Sequence, residues 1–156
     1  MSGLRNGSPA PGFALRDQHG QEVRLSAFAG RPVLLVFYPY AFSRVCTGEL
    51  AAVRDSLDRL RDTGADVLGL SCDPMFTLRA YAEEQRLTFP LLSDFWPHGA
   101  TSTAYGVFDD ERGCSRRSTY ILDSDGTVRW SVHHPMPEAR DLQEYVRVLE
   151  DLRAGK

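Results

Sequence analysis

The sequence feature that most constrains the fold is a continuous run of apolar, β-branched and aromatic residues, PVLLVFY, at positions 32–38. Strands that are buried on both faces of a sheet read as uninterrupted apolar runs, whereas half-exposed strands alternate apolar and polar residues. The run therefore predicts a strand at the centre of a sheet. Pro39 is expected to end it, because proline has no N–H to donate to a neighbouring strand.

Helix-like and strand-like segments alternate after this strand. Apolar residues at helical spacing predict a helix over residues 43–62, and DVLGLS at 66–71 predicts a second buried strand. Further strands are predicted at 13–16, 22–25, 89–92, 118–122 and 127–132, and further helices at 74–86, 99–105 and 137–153. In the 74–86 helix, Phe76, Leu78 and Tyr81 are the expected apolar positions. Helical crossovers between buried strands predict an α/β fold with a mixed central sheet flanked by helices, and the first two strands predict an N-terminal β-hairpin.

Composition bounds the kind of protein. A chain of 156 residues with 42% hydrophobic and 25% charged residues is expected to form a single globular domain over residues 1–156. Residues 1–8 fall in a Gly/Ser/Pro-rich stretch and are expected to be loosely ordered. The net charge of -3 argues against nucleic acid or an anionic membrane as a partner, and the longest apolar runs are too short to span a bilayer.

Three cysteines do not form a disulfide framework. This sparse, odd number suggests a reducing compartment, and the N-terminus carries no apolar signal segment. We therefore expect a cytoplasmic location.

Cys46 is the most informative residue, because it follows the central strand and falls in the first turn of the next helix. Open α/β sheets place their sites at the carboxyl ends of strands, and a helix N-terminus favours a negative charge. A thiol at this point is expected to ionise more readily than a free cysteine, and the thiolate is the nucleophilic form. Ser43, three residues earlier, can cap the helix and reach the sulfur, and Pro39 offers an apolar wall. The competing interpretation is a buried structural cysteine.

The segment PYAFSRVC, from Pro39 to Cys46, resembles the Pro-x-x-x-Thr/Ser-x-x-Cys motif of the peroxiredoxin family. A second segment, RSTYILD from Arg117, resembles the strand that carries the peroxiredoxin arginine. The stretch FPLLSDFWPHG at 89–99, followed by AYGVF at 104–108, is similar to the AhpE-like one-cysteine subfamily. The opening pattern Pro-x-Phe-x-Leu-x-Asp at 11–17 also fits, and the resemblance extends over roughly residues 9–150.

The resemblance implies a thioredoxin-like fold and a thiol-dependent peroxidase that needs no metal or organic cofactor. By position, Cys46 is implied to be the peroxidatic cysteine, with Pro39, Ser43 and Arg117 completing its site. Glu49 matches an acid that is frequent near this site and is expected to anchor Arg117. The family more often has Thr where this chain has Ser43, so the hydroxyl is kept while a methyl group that restricts the side-chain rotamer is lost.

The implied reaction is attack of the Cys46 thiolate on hydrogen peroxide or an organic hydroperoxide, with peroxynitrite as a further candidate. It leaves a sulfenic acid on Cys46. An external thiol is then expected to reduce the sulfenic acid, either a small thiol such as mycothiol or a thioredoxin- or glutaredoxin-like protein. The aromatic residues Phe42, Phe95 and Trp96 fit either a pocket rim or a subunit interface. Because loops near the site commonly build a homodimer in the family that this chain resembles, the resemblance leads us to expect a homodimer.

Several alternatives remain open from the sequence. Cys72 or Cys114 could resolve the sulfenic acid internally, as in an atypical two-cysteine peroxiredoxin. A non-catalytic redox sensor or chaperone on the same fold would share Cys46. A thioredoxin-like disulfide reductase would require Cys-x-x-Cys, but the residue three positions after Cys46 is Glu49. The cysteines and histidines lack the spacing of a zinc site.

Overall fold

The computed structural model describes residues 3–133 and 142–155. The strands are β1 (Ala14–Arg16), β2 (Glu22–Arg24), β3 (Val33–Phe37), β4 (Asp66–Ser71), β5 (Leu91–Ser93), β6 (Phe108–Asp109), β7 (Cys114–Ser115), β8 (Ser118–Leu122) and β9 (Val128–His133). The α-helices are α1 (Arg44–Asp55), α2 (Leu57–Asp62), α3 (Met75–Gln85), α4 (Ala100–Ala104) and α5 (Leu142–Arg153), and a 3-10 turn covers Leu25–Phe28.

Seven strands form the main sheet, in the spatial order β2-β1-β5-β4-β3-β8-β9, and β6 and β7 form a separate two-stranded ribbon. The central strand β3 runs parallel to β4 and antiparallel to β8, so the predicted mixed sheet is confirmed. The N-terminal hairpin is also confirmed, with Leu15 opposite Val23. The α1–α2 crossover returns the chain to the end of the sheet at which β3 begins, so β3 and β4 run parallel.

All five residues of β3 are buried, as the apolar run predicts. Leu34 and Val36 face a core built with α1, α2, α3 and α5. Val33, Leu35 and Phe37 face a second core that includes residues of the N-terminal hairpin. Alternate residues of a strand point to opposite faces, so one run of sequence supplies both cores. Cys46 belongs to the first of them, on the helical side of the sheet.

The structure corrects the sequence predictions at several points. The helix predicted over 43–62 is divided into α1 and α2 at Ser56, whose φ of -103° and ψ of 6° are not helical. Leu57 and Leu60 beyond the break remain buried, so the apolar spacing continues where the helix does not. Phe76 was expected in the core but is 68% exposed, and its ring contacts the guanidinium of Arg79 instead. The start of the last predicted helix, at Pro137, lies outside the described residues.

Two short strands, β6 and β7, were not predicted from the sequence. Each has two residues, too few for an alternation of apolar and polar residues to be read. No helix in the described part of the chain combines the length and the apolar character needed to cross a bilayer.

Candidate active site

The first turn of α1 positions Cys46. Ser43 has an extended backbone and precedes the helix, and its Oγ accepts a hydrogen bond from the backbone N–H of Cys46 at 3.3 Å. The carbonyl of Ser43 accepts the N–H of Thr47 at 2.9 Å, which begins the helical ladder. Ser43 therefore caps the helix, as its spacing predicts, and holds the backbone of Cys46 three residues into the turn.

Arg117 reaches the same place from a distant part of the chain. It immediately precedes β8, and the antiparallel register pairs Ser118 with Phe37, so residue 117 lies at the carboxyl end of β3. Its guanidinium is 1% exposed, and its Nη1 donates to the sulfur of Cys46 at 3.6 Å. The structure thus brings Cys46, Ser43 and Arg117 together at the end of the central strand.

Glu49 supplies the counter-charge for this buried cation. It lies one turn after Cys46 on α1, is itself buried, and forms an ion pair with Nη1 of Arg117. A buried guanidinium without a partner would be strongly unfavourable, so this carboxylate stabilises the arginine in the interior. Nη1 of Arg117 therefore contacts both the Glu49 carboxylate and the Cys46 sulfur. The ion pair is the contact that was expected of Glu49.

Pro39 and the turn that follows it connect β3 to the helix that carries Cys46. Pro39 is buried and lies two residues after the end of β3. Cys46 has no exposed surface, whereas Tyr40 and Phe42 are 40% and 49% exposed. The 40–43 turn therefore presents two aromatic side chains at the surface, whereas the sulfur of Cys46 is fully enclosed.

The backbone of this turn is unusual. Phe42 has a φ of +69°, a left-handed conformation that is rare for a bulky aromatic residue, and the closing Ser43 N–H to Tyr40 carbonyl hydrogen bond is long at 3.4 Å. Contacts between the side chains of the turn and other parts of the chain hold the turn in place. The phenol of Tyr40 donates to the carbonyl of Arg112 at 3.0 Å, and the ring of Phe42 packs against Tyr81 with centroids 4.9 Å apart.

Asp73 also contacts the turn and was not singled out from the sequence. Its Oδ2 accepts the backbone N–H of Ala41 at 2.8 Å and the hydroxyl of Ser71 at 2.7 Å. Asp73 lies two residues beyond β4, the parallel neighbour of β3. The sequence carried one signal that could have identified Asp73, its position just after a buried strand. The carboxyl ends of parallel strands meet at one edge of the sheet, where sites are commonly found.

Two buried phenols lie near the sulfur. The pKa of Tyr81 is raised to about 12, mainly by burial and to a smaller extent by its electrostatic interactions with Cys46 and Asp73, although a hydrogen bond to Thr47 opposes the change. Burial likewise raises the pKa of Tyr38 well above its ordinary value. Both phenols are therefore protonated at neutral pH and retain their O–H groups.

The other two cysteines, Cys72 and Cys114, are also buried, in surroundings that differ from those of Cys46. The sulfur of Cys72 lies 3.7 Å from Oγ of Ser115, which in turn lies 2.7 Å from Oγ of Ser102. Burial raises the pKa of Cys72 to about 11, and burial also raises the pKa of Cys114. All three cysteines are free thiols. At neutral pH, Cys72 and Cys114 are therefore poor nucleophiles.

The described residues contain no group of three or more His, Cys, Asp or Glu side chains arranged to hold a metal ion. The arrangement around Cys46 consists instead of one sulfur, a guanidinium, a hydroxyl and the N–H groups of a helix start. These groups can stabilise negative charge that develops on and beside the sulfur.

Comparisons with known proteins agree with this chemistry. The AhpC/TSA family profile matches residues 6–131. Alkyl hydroperoxide reductase E of Mycobacterium tuberculosis is 42% identical over 97% of this chain and 99% of its own length. Chloroplastic peroxiredoxin Q of Triticum aestivum is 36% identical over 96% of this chain and 68% of its own length.

Solved structures give the same picture of the fold. The peroxidoxin BcpB of Mycobacterium tuberculosis superposes with a TM-score of 0.85 and 30% identity, covering 98% of this chain and 99% of that one. The reduced 2-Cys peroxiredoxin of Plasmodium vivax superposes with a TM-score of 0.88 and 27% identity, covering 97% of this chain and 83% of that one. These matches confirm the expected thioredoxin-like fold.

Proposed function

The chain belongs to the AhpC/TSA family of peroxiredoxins, which are thiol-dependent peroxidases, and from this membership we propose that Cys46 is its peroxidatic residue. The single observation that carries the assignment is the contact between the Cys46 sulfur and Nη1 of Arg117. A buried cation beside the sulfur stabilises the negative charge of the transition state.

The proposed reaction begins with the thiolate of Cys46 attacking the terminal oxygen of a hydroperoxide, ROOH. A sulfur–oxygen bond forms while the O–O bond breaks, and the departing alkoxide takes up a proton to leave as ROH. Sulfur is oxidised to the sulfenic acid and the peroxide is reduced by two electrons. Hydrogen peroxide and organic hydroperoxides are the proposed substrates, with peroxynitrite as a further oxidant.

Each neighbouring group has a proposed part in this step. Arg117 stabilises charge on sulfur and on the breaking O–O bond. Its Nε has no hydrogen-bond partner among the residues described, which leaves a donor of the buried guanidinium for an incoming oxygen. Ser43 and the helix N–H groups fix the sulfur and can donate to the same oxygens, Pro39 encloses the site, and Glu49 holds the guanidinium in place.

Entry of the peroxide requires the 40–43 turn to move. Cys46 has no exposed surface in the closed arrangement. The exposed side chains of Tyr40 and Phe42 belong to this turn, which immediately precedes the helix that carries Cys46. We place substrate entry at this turn.

We propose that an external thiol completes the cycle. The first thiol condenses with the sulfenic acid, releasing water and forming a mixed disulfide, which a second thiol then reduces. The burial of Cys72 and Cys114 and their raised pKa values support an external reductant over either internal one. A small thiol such as mycothiol and a thioredoxin- or glutaredoxin-like protein are the proposed classes of reductant.

We further propose one domain over residues 1–156, a homodimer and a cytoplasmic location. Phe42, Phe95 and Trp96 are exposed, the last by 81%, and covering such aromatic side chains favours self-association. The three free thiols are consistent with a reducing compartment. Sedimentation over a range of concentrations tests the dimer, and a monomer at every concentration would contradict it.

Peroxide consumption with dithiothreitol as the reductant tests the assignment of Cys46. We expect Cys46→Ser to abolish turnover and the matched variant Cys72→Ser/Cys114→Ser to retain it. Turnover by Cys46→Ser would overturn the assignment. Mass spectrometry after one equivalent of peroxide is expected to find a lone sulfenic acid at Cys46. A disulfide from Cys46 to Cys72 or Cys114 would instead establish an internal resolving residue.

A further inference from the structure

The 40–43 turn fixes where the helix start, and hence Cys46, lies relative to Arg117. Ser43 ends the turn, and its hydroxyl accepts the backbone N–H of Cys46. Arg117, in contrast, immediately precedes β8, which pairs with β3. Any displacement of the turn therefore moves the sulfur and the Ser43 hydroxyl while leaving the guanidinium in place. The left-handed φ of Phe42 is a conformation that persists when surrounding contacts enforce it.

Asp73 provides such a contact to the backbone of the turn. Its Oδ2 accepts the N–H of Ala41 at 2.8 Å, next to the left-handed residue. A hydrogen bond to an ionised carboxylate is roughly twice as strong as one between neutral groups. This contact is also directional, because it fixes a backbone N–H rather than a mobile side chain.

Asp73 is itself fixed to the sheet. Its Oδ2 accepts the hydroxyl of Ser71, a residue of β4 with no exposed surface, at 2.7 Å, and its backbone N–H points to the same hydroxyl at 3.3 Å. Its carbonyl accepts the hydroxyl of Ser93, on β5, at 2.6 Å. The carboxylate therefore joins the 40–43 turn to β4 through Ser71, whereas Ser93 contacts only the main-chain carbonyl of Asp73.

We propose that Asp73 is a positioning residue for the peroxidase reaction, acting through Ala41 to align Ser43 and Cys46 with Arg117. The inference rests on the proposed role of Cys46. Asp73 takes no part in bond making and does not touch the sulfur. Its carboxylate returns the turn, once the peroxide has entered, to the arrangement that the transition state requires, so that Ser43 and Cys46 are aligned with Arg117 when the O–O bond breaks.

Asp73→Ala tests this by two rates measured at Cys46. The second-order rate constant for hydrogen peroxide is expected to fall by about 10- to 100-fold, because displacements near 1 Å cost about that much. Alkylation of Cys46 by iodoacetamide is expected to become faster, because a released turn uncovers the sulfur. Alkylation of Cys72 is expected to be unchanged, since its sulfur contacts Ser115 and not the turn.

Conservative variants separate positioning from general destabilisation. Asp73→Asn keeps an oxygen that can accept the Ala41 N–H and is expected to restore most of the peroxide rate. Asp73→Glu keeps the charge but moves the carboxylate by one methylene, and is expected to be slow although folded. Ser93→Ala, which removes a contact to the Asp73 carbonyl and leaves the carboxylate in place, is the matched control and is expected to react as the native chain does.

The outcomes are distinguishable. A normal peroxide rate in folded Asp73→Ala or Asp73→Glu would overturn the inference, and so would an equal loss in Ser93→Ala. Faster alkylation at Cys72 as well as at Cys46 would show a structural role alone and would also overturn it. If the native chain does not oxidise at Cys46, the proposed role of Cys46 fails before the role of Asp73 is reached.

Discussion

The Nη1 atom of Arg117 lies 3.6 Å from the sulfur of Cys46, although 71 residues separate the two in the sequence. The pairing of β8 with β3 creates this contact, because it sets the residue before β8 beside the end of the central strand. The geometry joins a nucleophile at a helix start, Cys46, to a buried cation, Arg117.

Replacement of Arg117 is expected to slow the reaction of Cys46 with peroxide. Arg117→Lys keeps the charge but loses the planar, multiply donating guanidinium, and removal of one such donor commonly costs about 10²–10³ in rate. Stopped-flow measurement of the peroxide reaction gives the rate directly. An unchanged rate would remove Arg117 from the mechanism.

Arg117→Ala is expected to be much less stable than Arg117→Lys. It leaves Glu49 buried without its cation, and breaking a buried ion pair from one side costs about 3–5 kcal/mol. The double variant Arg117→Ala/Glu49→Gln is expected to recover much of that stability and none of the rate. Thermal unfolding beside stopped-flow kinetics separates the two effects, and recovery of the rate would contradict the role of the guanidinium.

Ser43 is expected to affect both the stability of the helix and the reaction. Ser43→Ala removes the cap of α1, which typically costs about 1 kcal/mol of stability, and removes the hydroxyl proposed to donate to the reacting oxygens. Ser43→Thr, the residue more frequent in the family, keeps the cap and restricts the rotamer. We expect the alanine variant to be slower and the threonine variant to match or exceed the native rate. Equal rates in all three chains would exclude the hydroxyl.

Most of what could be predicted from the sequence came from the apolar run of β3 and from the three-residue spacing of Ser43 and Cys46. Both are local patterns: a strand buried on two faces and a cap three residues before its partner are readable from neighbouring positions. Arg117 came instead from a resemblance, because no local pattern states which strands pair or in what register. Asp73 was missed for the same reason, since its contact with Ala41 depends on where β4 ends relative to β3.

Other differences arise from tertiary packing. The apolar spacing across Ser56 predicted one helix, and the buried Leu57 and Leu60 show that the spacing was read correctly. Ser56 makes no capping hydrogen bond with its side chain, and the buried face continues across this non-helical residue. Phe76 is apolar and falls in a helix, yet its place in the first turn directs it toward solvent.

The stability of the protein is expected to fall at alkaline pH. The pKa of Cys72 is raised from an ordinary value of 9.0 to about 11 by burial, and that of Tyr81 from 10.0 to about 12. Above pH 9 the unfolded chain loses these protons first, so the unfolded state binds fewer protons than the folded state and the unfolding free energy decreases as the pH rises. The contribution is complete below pH 9 and is lost progressively toward pH 12.

Urea unfolding at a series of pH values measures this slope. Cys72→Ala is expected to flatten the curve between pH 9 and 11 while leaving the part due to the tyrosines. A flat curve for the native chain up to pH 11 would contradict the burial of these groups.

Cys72 and Cys114 are expected to resist alkylation in the folded protein at pH 7. Both thiols are buried and protonated, so neither the exposure nor the thiolate that iodoacetamide needs is available. Site-resolved mass spectrometry with and without denaturant measures their protection. Rapid modification of either in the folded chain would instead favour it as an internal resolving residue.

The role of Cys46 is tested most directly by the rate at which hydrogen peroxide oxidises it in the Cys72→Ser/Cys114→Ser variant, compared with free cysteine at the same pH. We expect a second-order rate constant orders of magnitude above that of the free thiol, with the added oxygen found on Cys46. A rate equal to that of free cysteine would contradict it.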